Sequence, residues 1–363
     1  MRLFFFLLFL VGCSSVKLTP PEKKTRFFNV LWSKNLDHHY QSGNLSIGLG
    51  APRIFNDIVY MGTLSGKMSA YDLETGRTLW SQNEGTPLGG ASEFFNDHVA
   101  YGGLSGRLFV RHYLSGELKY AIDLGAPIES APFYHSGRLI VYLRGHQIAQ
   151  LDAETGKILW VYKRAVPVTT TLQRTTKPLV VGNKIILGFA DGFVGALSFT
   201  EGTVIWETKI VDQSKFIDVD LNPILSGGVV VTGSPSGELK AINPDNGAVA
   251  RSFGLSVLAH PVLKGEQLLL GTNEGEVLLI SQNGEILKKV KISDKAVSAV
   301  TWWKDSIVAA SFDGKIRSID PLTMNVTGEF AMGYDYSAVF SDIVATDDFM
   351  AIYSSRNRLY LFH

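Results

Sequence analysis

The stretch AYDLETGRTLW, residues 70–80, returns about eighty residues later as AQLDAETGKILW, residues 149–160. Aligning the chain on the glycine turn before this stretch finds eight copies, roughly forty residues apart. Each copy joins an apolar run, a glycine turn, an alternating strand and a second turn at Thr-Gly or Asn-Gly, the pattern of meandering hairpins. About four strands per unit predicts an all-β fold: an eight-bladed β-propeller of four-stranded antiparallel blades.

The last copy ends at His363 without its outer strand. The segment NVLWSKNL, residues 29–36, carries Trp32 where other copies carry Trp80 or Trp160. Pairing this N-terminal strand with the last blade would hide two sheet edges that otherwise invite aggregation. We therefore predict that the ring closes by that pairing.

The repeated motif is interpreted as architectural. Its aspartate can hold the turn by an Asx-type hydrogen bond, its glycine makes the turn, and its tryptophan offers a large flat surface for packing between blades. The residues assigned to this structural blade motif are Trp32, Asp72, Gly76, Trp80, Asp152, Gly156, Trp160 and Trp206.

Composition excludes several classes of protein. Lysine plus arginine and aspartate plus glutamate number 34 each, so no net positive field exists to gather nucleic acid. The only cysteine is Cys13, which can form neither an intrachain disulfide nor a CxxC metal site. In Asp37-His38-His39 the adjacent histidines would point to opposite faces of a strand, so we assign no metal site. The pair Trp302-Trp303 is interpreted as packing, and no catalytic residue is assigned.

The N-terminus predicts export and a lipid anchor. One positive charge at Arg2 precedes a short apolar run, and the ending LVGC, residues 10–13, resembles the bacterial lipobox. This resemblance implies a signal peptide over residues 1–12 and a lipid on Cys13, followed by a polar tether up to residue 26 and a propeller over residues 27–363. Ser14 after the cysteine implies the outer membrane, with the folded body facing the periplasm.

The blade pattern resembles the tryptophan-docking repeat of quinoprotein alcohol dehydrogenases, which bind pyrroloquinoline quinone. Those enzymes stack the quinone on a disulfide of adjacent cysteines, which this chain lacks. A PQQ-dependent dehydrogenase is therefore only a remote alternative. We expect neither enzymatic activity nor a cofactor.

A lipobox followed by eight such blades resembles the BamB family of outer-membrane protein assembly factors, as do the stretches over residues 166–210 and 216–225. The resemblance implies a scaffold that binds the periplasmic POTRA domains of BamA and assists folding and insertion of outer-membrane proteins. Carried over, Leu172 and Arg174 would contact the partner, and Asp218 and Asp220 would shape an acidic rim. Nascent outer-membrane proteins are further candidate partners. A periplasmic propeller that binds cell-wall carbohydrate or peptide stays open as the alternative.

Overall fold

The computed structural model describes residues 27–36, 50–165, 176–212, 217–333 and 337–363. Within these ranges the chain forms eight four-stranded antiparallel sheets. The same ranges contain no helix, and hence none that could span a membrane. The predicted all-β, eight-bladed fold is confirmed.

The strands follow one another blade by blade. The first strand of the chain is β1 (Val30–Asn35). Blade 1 contains β2 (Arg53–Phe55), β3 (Ile58–Gly62), β4 (Lys67–Asp72) and β5 (Thr78–Asn83). Blade 2 contains β6 (Glu93–Phe95), β7 (His98–Gly102), β8 (Arg107–His112) and β9 (Leu118–Asp123). Blade 3 contains β10 (Phe133–His135), β11 (Arg138–Leu143), β12 (Gln147–Asp152) and β13 (Ile158–Lys163). Blade 4 contains β14 (Leu179–Val181), β15 (Lys184–Gly188), β16 (Phe193–Ser198) and β17 (Val204–Lys209).

The second half repeats this order. Blade 5 contains β18 (Ile224–Ser226), β19 (Val229–Gly233), β20 (Leu239–Ile242) and β21 (Val249–Ser252). Blade 6 contains β22 (Val262–Lys264), β23 (Gln267–Gly271), β24 (Glu276–Ser281) and β25 (Ile286–Lys291). Blade 7 contains β26 (Val297–Trp303), β27 (Ser306–Ser311), β28 (Lys315–Ile319) and β29 (Val326–Ala331). Blade 8 contains β30 (Val344–Ala345), β31 (Met350–Tyr353) and β32 (Arg358–Phe362).

Strand β1 completes blade 8. It pairs antiparallel with β32, with Trp32 opposite Leu361 and Lys34 opposite Leu359. The sheet order is therefore β1-β32-β31-β30, and the first strand of the chain becomes the outer strand of the last blade. The predicted closure is confirmed.

The core consists of apolar layers between neighbouring blades. One such cluster joins Tyr60 and Trp80 of blade 1 to Val99 and Phe109 of blade 2. The second and third strands of a blade are covered on both faces by adjacent blades, so β3 is buried throughout. The outer strands have one exposed face, so β1 alternates between half-buried and exposed residues.

The Asp-x-x-Thr-Gly turn is held by its own hydrogen bonds. The Asp72 carboxylate accepts one from the Thr75 hydroxyl and one from the Thr75 N–H, the latter at 2.8 Å. These two bonds, the hydroxyl first, lower the pKa of Asp72. Asp152 accepts the same pair from Thr155. Gly76 has a φ of 67°, a left-handed conformation that favours glycine.

The tryptophan of each motif packs on the turn of the next blade. The Trp80 indole N–H donates to the Tyr113 carbonyl at 2.8 Å. A Cβ atom at Gly76 would lie 2.8 Å from the Trp32 ring, so this turn needs glycine for packing as well as for φ. Equivalent indole bonds run from Trp32 to Leu73 (2.8 Å), from Trp160 to Phe199 (3.3 Å) and from Trp206 to Pro244 (3.0 Å). The repeated motif therefore carries the contact that joins one blade to the next.

Candidate functional site

The residues assigned to partner binding belong to two neighbouring connections, one between blades 3 and 4 and one between blades 4 and 5. Leu172 and Arg174 lie outside the described residues, as does Cys13. Asp218 and Asp220 are described, in the connection between β17 and β18. We call the described residues 164–165, 176–178 and 217–222, which flank or form these connections, the junction.

Arg164 ties the first connection to blade 4. Its Nε donates to the Asp191 carboxylate at 2.7 Å, and its Nη1 donates to Glu207. Its guanidinium carbon lies 4.8 Å from the ring centroids of both Phe189 and Phe193. Two carboxylates and two aromatic faces thus fix one side chain, whose exposed fraction is only 12%.

The chain re-enters blade 4 through a second set of bonds. Thr176 is fully buried, and its hydroxyl accepts the Gly188 N–H at 3.3 Å. The Lys177 N–H donates to the Asn222 side-chain carbonyl at 2.7 Å. Both ends of the connection between blades 3 and 4 are therefore fixed. The Arg164 side chain binds blade 4, and residues 176–177 bind blade 4 and residues 217–222.

Asp218 and Asp220 are buried, with exposed fractions of 3% and 8%. The intervening Val219 donates its N–H to the Phe189 carbonyl at 3.0 Å. A Cβ atom at Gly188 would lie 2.1 Å from the Val219 carbonyl oxygen, so glycine permits this close approach. The two carboxylates lie within the blade 4 side of the junction rather than on an exposed acidic rim, and their contact with a partner stays a prediction.

His146, which contacts Arg164, has an unusual backbone conformation for a buried residue. Its carbonyl accepts the Arg164 N–H at 3.0 Å, it is buried, and its φ is 60°. The Tyr142 hydroxyl lies 3.2 Å from its Nδ1, whereas its Nε2 has no hydrogen-bond partner among the described residues. A buried residue other than glycine in the left-handed region is uncommon and concentrates at functional sites.

Both residues depart from the repeat, which is why a search for shared residues misses them. The carbonyl equivalent to that of His146 belongs to glycine in five other blades: Gly66, Gly106, Gly192, Gly275 and Gly314. The N–H equivalent to that of Arg164 belongs to an apolar residue in four of them: Leu124, Ile210, Ile292 and Met332. Comparing the copies for their differences would have found both positions of blade 3, together with Glu84 of blade 1 and Asn357 of blade 8.

His146 predicts an acid-sensitive contribution to stability. Burial, aided by the Arg164 charge, lowers the pKa of His146 below its ordinary value near 6.5, although Asp191 and Asp218 oppose the shift. Because the pKa is lower in the folded state, this stabilisation is present above pH 6.5 and is lost as the pH falls through the folded value. We expect native protein to lose more unfolding free energy than His146→Asn between pH 7.5 and 5.

His146→Asn should keep the turn geometry, because an asparagine, Asn357, occupies the equivalent turn of blade 8 with a φ of 57°. Its side chain accepts a hydrogen bond from Tyr353, four residues earlier, as His146 pairs with Tyr142. Denaturant unfolding at both pH values measures the difference. Equal pH slopes for the two proteins would contradict the assignment.

Within the described residues, the other candidates from the sequence add no further site. Asp37, His38 and His39 lie outside the described residues. Among the residues that are described, no group of three or more histidine, cysteine, aspartate or glutamate side chains could hold a metal ion. Trp303 is buried against Phe27, with the ring centroids 5.3 Å apart. Trp302 is half-buried under the Lys264 ammonium, 4.4 Å from the ring centroid.

Comparison with known proteins identifies relatives. A family model described as outer membrane protein assembly factor BamB matches residues 64–290. Such a factor from Vibrio cholerae serotype O1 is 32% identical over 283 residues, which cover 73% of this chain and 72% of the relative. For three further relatives of that name the chain spans about half of their length, namely 57%, 43% and 45%.

Two other similarities bear on the fold and on the enzymatic alternative. The crystal structure of BamB from Moraxella catarrhalis superposes with a TM-score of 0.76 at 18% identity, covering 93% of this chain and 99% of that chain. The quinoprotein alcohol dehydrogenase PedH of Pseudomonas putida is 29% identical over 119 residues, only 20% of its length. The family-model match and the Vibrio relative show that this chain belongs to the BamB family of outer membrane protein assembly factors.

Proposed function

We propose that this protein is a non-catalytic scaffold lipoprotein of the outer-membrane β-barrel assembly machinery. It binds the periplasmic POTRA domains of BamA and so assists folding and insertion of outer-membrane proteins. The observation that carries the partner site is the anchoring of the junction, where Arg164 replaces a residue of the repeat and pairs with Asp191 and Glu207. His146, in the neighbouring turn of blade 3, accepts the Arg164 N–H and also replaces a residue of the repeat. The ring does not require either residue, because five other blades close with glycine at the position of His146 and without arginine at the position of Arg164.

The junction suits a role in presenting a loop. Arg164 holds the outgoing end of residues 166–175, and Thr176 and Lys177 hold the returning end. Fixing both ends of a loop lowers the conformational entropy that binding must remove. Within this loop Arg174 would form a bidentate ion pair with a partner carboxylate, and Leu172 would supply the apolar contact.

The anchor gives the scaffold its position. A lipid on Cys13 would hold the chain at the outer membrane, with the propeller in the periplasm. A tether over residues 13–26 confines the propeller near the membrane and raises its effective concentration beside BamA. Binding and orientation of the BamA periplasmic arm, or of nascent strands, is then the whole mechanism.

We infer no reaction chemistry. The sequence has one cysteine, so the adjacent-cysteine disulfide on which quinoprotein dehydrogenases stack their quinone cannot form. The similarity to PedH extends over 20% of that enzyme. Both facts favour the scaffold over the dehydrogenase, and the proposal includes no cofactor.

Arg174→Glu tests the partner site. Charge reversal would repel an acidic partner surface, so we expect the full-length variant to bind the isolated BamA periplasmic arm at least about tenfold more weakly, or 1.4 kcal/mol. Titration calorimetry measures the affinity. Arg77→Glu, on an exposed turn of blade 1, is the control and should bind as the native protein does. Equal binding by all three proteins would contradict the site, and no binding by any would contradict the proposed partner.

A further inference from the structure

The central channel of the ring opens into a small cavity that the scaffold role does not use. Its volume is about 210 Å³, below the roughly 300–1,000 Å³ of typical ligand pockets. Residues at or just before the first strands of seven blades contribute to its lining. The side chains that matter are Arg53, Ser130, Lys177, Asn222, His260 and Ser341.

One side of the cavity is formed by blades 1 and 8. Arg53, the first residue of β2, pairs with Tyr60 through its backbone, but its side chain forms no hydrogen bond or ion pair with any described residue. Ser341, just before β30, has a buried hydroxyl oxygen without a hydrogen-bond partner among the same residues. A guanidinium and a hydroxyl are thus left available to something that enters the channel.

The opposite side is formed by blades 5 and 6. The Asn222 side-chain carbonyl accepts the Lys177 N–H at 2.7 Å, which leaves the Asn222 side-chain NH₂ group as a donor. The Asn222 backbone N–H donates to His260 Nδ1 at 3.1 Å. Nδ1 is therefore an acceptor, and the ring proton lies on Nε2. Two further donors accordingly lie across the channel from Arg53.

The acidic groups of the cavity do not cancel these donors. Of the lining residues, the Glu129 carboxylate is held by Arg144, and the Lys177 ammonium lies 3.5 Å from Glu93, which is outside the lining. Asp342 is exposed at the rim. Arg53 is therefore the lining cation that keeps its charge uncompensated by an ion pair within the described chain.

We propose that the channel mouth binds a small organic dicarboxylate. One carboxylate pairs with Arg53 beside Ser341, and the other accepts hydrogen bonds from Asn222 and His260. Charge-assisted bonds at opposite ends suit an elongated dianion better than a single compact anion. The small volume limits the ligand to a short chain, and this site goes beyond the proposed scaffold function.

The test is a ligand-observed NMR titration of the full-length protein with succinate. We expect saturable binding of succinate, at least tenfold weaker binding by Arg53→Gln, and partial recovery by Arg53→Lys. Arg77→Gln, on an exposed turn away from the cavity, should bind as the native protein does. The neutral isostere succinamide should not bind. Because the Arg53 side chain has no hydrogen-bond or ion-pair partner among the described residues, all variants should keep the native unfolding midpoint.

Three results would overturn the proposal. The first is no saturable succinate binding by the native protein. The second is equal affinity of the native protein and Arg53→Gln. The third is displacement of succinate by acetate or inorganic phosphate at the same concentration, since that would indicate a single oxyanion subsite rather than two opposed ones.

Discussion

Glu84→Gln is expected to lower the free energy of unfolding by about 3–5 kcal/mol, because it leaves a buried arginine without its counter-charge. Glu84 follows the outer strand of blade 1, and its side chain is only 3% exposed. Its carboxylate accepts from Arg111 Nε at 2.9 Å and from Arg111 Nη2 at 3.0 Å. The Tyr101 hydroxyl donates to the same carboxylate, and Arg111 Nη1 donates to the Gly116 carbonyl at 2.8 Å.

An exposed ion pair between blades provides the control. Lys119 pairs with Glu154, whose side chain is 65% exposed, so Glu154→Gln should cost less than about 1 kcal/mol. The double variant Glu84→Leu/Arg111→Met should regain most of the loss, since it removes both buried charges and keeps apolar volume. Urea unfolding measures all three. Equal costs for Glu84→Gln and Glu154→Gln would contradict this account of the blade 1–blade 2 contact.

Removal of β1 is expected to have the largest effect on the fold. A chain that starts at residue 37 lacks the strand that pairs with β32, and it lacks Trp32, which packs on the turn of blade 1. The truncation also removes Phe28, which is buried, and loss of a large buried aromatic side chain alone costs about 3–5 kcal/mol. The loss of the strand adds to that, and the sum is comparable to the whole stability of many domains, about 5–15 kcal/mol.

The matched control starts at residue 27, which removes the segment before the propeller and keeps β1. Thermal unfolding should give a midpoint near that of the full chain for the control and a much lower one for the shorter chain. Exposure of the β32 edge should also make the shorter chain associate, which size-exclusion chromatography detects. An unchanged midpoint in the chain that starts at residue 37 would contradict the closure.

The fold could be predicted from the sequence because its determinants are local and repeated. Asp72 and Gly76 form their turn with residues three or four positions away, and the same geometry recurs at Asp152 and Gly156. Trp32 identified the missing outer strand because it occupies the motif's tryptophan position. Each of these signals is strengthened by repetition along the chain.

The site was less predictable because its contacts are distant in sequence and differ from the repeat. Arg164 meets Asp191 and Glu207, which belong to the next blade. The family resemblance implies that Asp218 and Asp220 shape an acidic rim, whereas both side chains are buried. Their burial follows from the close approach of Val219 to Gly188, which spacing along the chain does not reveal.

The most direct test of the central claim is crosslinking and co-purification of the native full-length protein from outer membranes, with Arg174→Glu prepared in parallel at the same protein level. Recovery of BamA with the native protein, and its loss with Arg174→Glu, is the predicted result. Absence of BamA from both preparations would contradict the assembly role and would favour a cell-wall ligand instead.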